Sequence, residues 1–277
     1  MKNKIIIPLL SLMIIIMGYF GLQAYSQAKK YEQSTQKLVM DRDVSKQAEY
    51  QAKAWLEKLS LGHYANEKRL VREEIIKEKE LHGSEAKRYT LYVMGLLAMI
   101  LMVSLVTGLR FFTFFGALSA LVVLYFGLFT PLLTVTIHKE LEYIGDVVLS
   151  FESKSLLGSV VKLWEGGDIV VALVILLFSV LVPLIKTLSL MFVAVVMESR
   201  FAHGIVRFFK VIGKWSMLDV FVVAVLLVYL TGSGSEVSHA EVQVGLYFFL
   251  AYVFVSMLVS LSADKMLEKS VDSGSST

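Results

Sequence analysis

The sequence predicts an all-α, polytopic membrane protein with about six transmembrane helices and an extracytoplasmic helical hairpin. Three observations carry that expectation. Of 277 residues, 56% are hydrophobic and only 18% charged, whereas ordinary globular domains run at about 45–50% and about 25%; a soluble core of this size cannot bury so much apolar surface. The apolar residues fall in long runs, and the charges gather between them, with 14 of the 27 Lys and Arg lying between Ala24 and Arg88. The lack of cysteine removes disulfides, thiolate metal sites and cysteine nucleophiles. A net charge of +3 is too small to point to nucleic acid.

A helix that crosses lipid needs about 20 residues free of uncompensated charge, at about 1.5 Å each. Six segments qualify. The first, Ile5 to about Gln23, follows Lys2 and Lys4, so a cleaved signal peptide is the alternative to an anchor; Leu22, where a small residue would precede a cut after Ala24, favours the anchor. Tyr89 to Leu109 and Phe111 to Ile137 come next, then Ile169 to Met197, which is interrupted by Lys186. The last two are Trp215 to Leu230, interrupted by Asp219, and Val242 to Ala263. The third and fourth exceed the minimum and require tilt or a kink, which Pro131 and Pro183 can supply.

Orientation follows from Lys and Arg near the span ends. A cytoplasmic amino terminus puts Lys2, Lys4, Arg110, Arg200, Arg207, Lys210, Lys214, Lys265 and Lys269 inside, against Lys139, Lys154 and Lys162 in short outer loops. Both termini are therefore expected in the cytoplasm. The segment 24–88 is long enough to be translocated whatever its charge. It is rich in Gln, Lys, Glu and Ala, with Trp55, Leu59, Leu70, Val71, Ile75 and Ile76 at roughly helical spacing, so a helical hairpin turning near Gly62 is expected outside the membrane. A solvated spacer and a docking surface both fit such a hairpin. The resulting division is an anchor, hairpin and second span over 1–109, a four-helix module over 110–270, and a disordered polar tail over 271–277.

Two loops carry amphipathic signals. In the outer loop, Ser155-Leu156-Leu157-Gly158 opens a run ending at Trp164, with Leu156, Leu157, Val160, Leu163 and Trp164 on one helical face. A short helix in the outer interface, either capping the bundle or closing a lateral opening, is expected there. Between Glu198 and Lys214, aromatic and basic residues interleave, which beside two spans reads as a helix against anionic headgroups rather than a nucleic-acid surface.

The sharpest chemical signal is charge within the spans, because it persists mainly where it is paired or lines a wet cavity. Lys186 lies roughly 15 Å from the cytoplasmic end of its span and Asp219 roughly 6 Å into the next, so a lysine reaching inward approaches the carboxylate. A salt bridge that fixes helix register and a role in gating or proton coupling both fit. Pro183, one turn before Lys186, weakens the helix beside the charge, and Thr187, Ser189, Ser216 and Ser256 can extend a polar path. Neither HExxH, a phosphate-binding loop, a GxSxG elbow nor a dinucleotide fingerprint occurs, and the five histidines show no ligand spacing. No enzyme, cofactor or metal site is therefore expected.

Two stretches go further: Ser179-Val-Leu-Val-Pro-Leu-Ile-Lys186 and Gly213-Lys-Trp-Ser-Met-Leu-Asp-Val-Phe-Val-Val-Ala224. With Ser155-Leu-Leu-Gly158 they resemble the paraquat-inducible protein A family, PqiA and LetA, over about Phe111 to Lys269. The resemblance implies a bacterial inner-membrane protein of a lipid-trafficking system that works with an MCE-domain partner. It carries the family's positions onto Pro183, Lys186, Trp215, Ser216 and Asp219. Better-known members have two such modules, each with a four-cysteine zinc ribbon, whereas this chain has one and no cysteine; a lone module implies a second copy or another subunit. The leading expectation is a module that takes membrane lipid and presents it to an outer partner. The alternative is a membrane-anchored assembly or stress-signalling protein acting through its hairpin.

Overall fold

A computed structural model describes residues 2–40, 66–141, 145–195 and 238–274. Helix α1 spans Lys2–Met40 and helix α2 spans Asn66–Thr107. At 39 and 42 residues they are about 58 and 63 Å long, roughly twice the hydrocarbon thickness of a bilayer. Each therefore crosses the membrane and continues beyond it, and together they form a stalk. The apolar half of α1 packs on α2 through Phe20, whose ring lies 6.1 Å from Tyr89 and 5.4 Å from Tyr92. The expected turn near Gly62 lies outside the described residues.

Gly108 alone separates α2 from helix α3, Leu109–Phe129, and its φ of 141° is a conformation that a side chain would strain. Helix α3 is the centre of the bundle, with Phe112, Phe115, Ala117, Ala120, Val123, Leu124 and Phe126 all buried. Its partner is α7, Val244–Gly274, which buries Phe248, Phe249, Tyr252, Val255, Val259 and Ala263. Two glycines permit that approach: a Cβ on Gly127 would sit 3.0 Å from the Phe249 nitrogen, and one on Gly116 would lie 2.7 Å from Val259 Cγ2.

The third span is shorter than the sequence suggests. The helix stops at Phe129, Thr130 turns extended at φ −78° and ψ 145°, and the chain enters strand β1, Pro131–Leu141. Pro131 supplies no amide for another helical turn, and the Leu-Leu-Thr-Val-Thr-Ile run behind it is rich in β-branched residues. Strand β2, Gly145–Ser155, returns antiparallel from Leu141↔Gly145 to Pro131↔Ser155. Strand β3, Ser238–Val242, joins the other edge from Leu133↔Val242 to Ile137↔Ser238, giving the order β2-β1-β3. This sheet caps the end of a bundle that is otherwise helical.

Helix α4, Leu156–Glu165, forms where the sequence predicts a short helix. Ser155 caps it, its hydroxyl accepting the Gly158 amide at 3.1 Å. Leu156 and Val160 turn into the core while Trp164 stays exposed, so the expected single apolar face is split between bundle and surroundings. The fourth span is broken into α5, Ile169–Leu176, a π-turn at Leu177–Leu181, and α6, Val182–Val195. The fifth expected span, Trp215 to Leu230, lies outside the described residues. Among those described, five helical stretches are long and apolar enough to cross a membrane. Backbone helix in α7 runs to Gly274, past Val271, where the sequence suggests an irregular tail.

Candidate functional site

The buried polar groups of the bundle meet between α6 and α7. On α6, residues 183, 186, 187, 190, 193 and 194 face inward, the spacing of one helical face. That face brings Pro183, Lys186 and Thr187 against Tyr252 and Ser256 of α7. Lys186 is only 7% exposed, and its Nζ donates to Ser256 Oγ at 3.3 Å. The Pro183 carbonyl accepts two hydroxyls, Thr187 Oγ1 at 2.8 Å and Tyr252 OH at 3.1 Å. Those hydroxyls are themselves 3.1 Å apart. An ammonium inside a span is penalised by about 2.5–3.5 kcal/mol on insertion scales, and here it is partnered by the Ser256 hydroxyl.

The backbone beside this cluster departs from regular helix. Pro183 lacks the amide that would close an α-helical bond to the Ser179 carbonyl. One turn earlier the ladder shifts to five-residue spacing, with the Val182 amide donating to the Leu177 carbonyl. Ser179 is 1% exposed, and its hydroxyl has no hydrogen-bond partner. Such π-turns occur frequently at functional sites. Pro183 therefore does more than bend the span: it produces a local break directly above Lys186.

The end of the bundle away from the sheet is fixed separately. Arg110 donates from Nε to the Ala194 carbonyl at 2.9 Å and from its terminal nitrogen to Val195 at 3.0 Å, satisfying carbonyls at the end of α6. Thr113 on α3 bonds Ser262 on α7 at 3.1 Å. At the sheet end, Tyr31 of α1 donates to Glu241 of β3 at 3.1 Å, and Gln243 donates to Thr134 of β1 at 2.9 Å. His82 of α2 bonds Gln27 of α1 at 2.7 Å.

Of the residues singled out in the sequence, Pro183, Lys186, Thr187 and Ser256 come together. Ser155, as the cap, and Leu156, Leu157, Gly158 and Trp164 belong to the separate helix α4. Trp215, Ser216 and Asp219 lie outside the described residues, as does the approach of Lys186 to Asp219. Sequence reasoning misses Tyr252, which in an apolar run reads as core; the usable signal is that a tyrosine hydroxyl in lipid needs a partner. No group of three or more metal-ligating side chains occurs among the described residues.

These features define an integral membrane bundle with a polar cluster at a broken helix and a small three-stranded sheet at one end. Residues 112–267 match the family described as Paraquat-inducible protein A, and the chain belongs to that family. It is 28% identical over 130 residues to a protein of Escherichia coli strain K12 named "Intermembrane transport protein PqiA", covering 45% of this chain and 31% of that one. A "Probable intermembrane transport protein" of Haemophilus influenzae is 28% identical over 119 residues, covering 41% and 28%. The chain thus spans less than a third of the length of these curated relatives. No solved structure matches it. The matched region holds α3, the sheet, the broken fourth span and α7; the stalk lies outside it, apart from contacts.

Proposed function

We propose that the chain is an inner-membrane component of a lipid-trafficking and envelope-maintenance system, passing lipid between the bilayer and an MCE-type partner on its outer side. The observation that carries this is the buried Lys186 cluster beside a broken helix. An ammonium bonded to the Ser256 hydroxyl, with the Thr187 and Tyr252 hydroxyls gathered at the neighbouring Pro183 carbonyl, suits the phosphate and ester groups of a phospholipid. Access from the side is open to a lipid, because α5 buries only Ala172 while Val170 is 77% exposed. The names of the relatives, which refer to intermembrane transport, point the same way. In this reading the polar region around Lys186 and Asp219 controls entry, both termini are cytoplasmic, a second copy or another subunit completes the module, and the chemistry is transfer rather than bond breaking.

Purification in mild detergent followed by mass spectrometry for lipid and protein tests the reading. Phospholipid is expected to accompany the wild-type chain and to fall in Lys186→Ala, with an MCE-domain protein recovered alongside. Equal lipid in both preparations would refute the role of Lys186. A second reading, an assembly or stress-signalling protein acting through the outer hairpin, is favoured by the length of α1 and α2 beyond the membrane. Recovery of a protein partner that depends on the stalk, without bound lipid, would support it instead.

A further inference from the structure

The two helices outside the family match are joined to the same element that carries half of the polar cluster. Val244, the first residue of α7, is 3% exposed and packs in one small cluster with Ala28 of α1 and Ala86 of α2. Three residues earlier, Glu241 receives the Tyr31 hydroxyl at 3.1 Å. The Tyr31 ring is in turn seated against Gly83 of α2, where a Cβ would lie 3.1 Å from it, and Lys79 Nζ sits 5.3 Å from its centroid. On the opposite side Gly245 abuts the carbonyls of Thr130 and Pro131, leaving no room for a side chain. The outer end of α7 is thus held between the stalk and the α3–β1 junction. From Val244 a continuous helix leads to Tyr252 and Ser256, about 12 and 18 Å further in.

We propose that Tyr31 is a positioning residue for the membrane polar cluster: by tying the stalk to Glu241, it sets where α7 presents Tyr252 and Ser256 to α6. The stalk is then an internal replacement for an outside brace, and whatever engages its outer part also acts on the cluster. Helices transmit displacement along their axes with little compression, and a packed interior shifts as a unit rather than yielding locally. A hydroxyl lost at Tyr31 therefore loosens the α6–α7 spacing, although it lies on neither helix.

The chain contains no cysteine, so introduced cysteines carry spin labels without competition. Labels at Leu188→Cys and Met257→Cys, both exposed side chains, report the spacing of α6 and α7; labels at Glu78→Cys and Val242→Cys report stalk against sheet. In the full-length protein in lipid nanodiscs, Tyr31→Phe and Glu241→Ala are expected to broaden both distance distributions. Glu241→Gln, which keeps an acceptor, is expected to restore both. Broadening at the stalk with an unchanged 188–257 distribution would overturn the proposal, as would no change at either pair. This inference rests on the polar cluster being the working site, yet its readout needs no lipid transfer. A shifted 188–257 spacing together with lipid content indifferent to Lys186 would refute the lipid reading and leave the coupling intact.

Discussion

Replacing Lys186 with methionine separates a lysine kept for function from one kept for stability. The substitution removes an ammonium that insertion scales penalise by about 2.5–3.5 kcal/mol at a helix centre. It also removes the bond to Ser256, and a hydrogen bond to a charged group contributes about 1.5–3 kcal/mol. The two effects nearly cancel: the bundle should end between about 0.5 kcal/mol less stable and about 2 kcal/mol more stable. A lysine required to hold the helices together would behave as a broken buried network, with a loss of about 3–5 kcal/mol. Unfolding in mixed micelles measures the first quantity, and co-purifying phospholipid per mole of protein measures the second. A stable protein whose lipid content falls by about tenfold, the equivalent of about 1.4 kcal/mol of binding, is the expected result. Loss of stability above about 3 kcal/mol that tracks the loss of lipid would show the lysine to be structural and refute the reasoning.

Four further outcomes follow from the contacts. Arg110→Ala leaves the Ala194 and Val195 carbonyls without their caps and is expected to lower unfolding stability by about 1–2 kcal/mol, with partial recovery in Arg110→Lys. Ser155→Ala removes the cap of α4 at a cost of about 1 kcal/mol, seen as faster amide exchange at Gly158 and its neighbours while the bundle is unaffected. Gly21→Val drives a side chain into the Phe126 ring and is expected to destabilise the α1–α3 contact by about 1–3 kcal/mol, with part regained by Phe126→Leu in the same chain. Thr187→Val and Tyr252→Phe, which share the Pro183 carbonyl, should be non-additive by about 0.5–1.5 kcal/mol in a double-mutant cycle; strict additivity would mean that the two hydroxyls act independently.

The spans were legible because burial in lipid is written in long runs of single residue types, and Lys186 stood out because one charge in such a run has no inexpensive explanation. The Ser155 cap was equally local: a serine before an apolar face is read from four consecutive residues. What escaped depends on partners distant in sequence. Pro131 was read as a kink within a span, because the apolar run continues to Ile137; only pairing with β2 and β3 turns Leu132 to Ile137 into strand. The alternation that marks a strand is confined to Thr134–Ile137 and follows directly on the apolar run of the span, which hides it. Tyr252 and Ser179 escaped for a related reason. Whether a hydroxyl in a membrane helix serves its own backbone or a neighbour is decided by the facing helix, and Thr113, Ser119 and Thr187 all return a bond to the preceding turn.

The close approach of α7 to α3 explains why the sheet and the polar cluster belong to one mechanical unit. Gly127, Gly116 and Gly245 each stand where a side chain would force the two helices apart. With those glycines in place, α7 cannot slide on α3 without carrying β3 along, since the Gln243 amide bonds the Leu132 carbonyl and Gln243 reaches Thr134 with its side chain. The fourth span lacks such a lock in its outer half, where the π-turn and Pro183 interrupt the backbone and Ser179 keeps an unpaired hydroxyl. Movement is therefore expected to concentrate on the α5 side of the cluster, with α7 as the wall that α3 and the stalk hold, and the least protected amides of the fourth span in hydrogen exchange should be those of residues 177–184 rather than those of α6 beside Arg110. Uniform protection along the whole span would place the flexible element elsewhere and remove the broken helix from the proposed path of lipid entry.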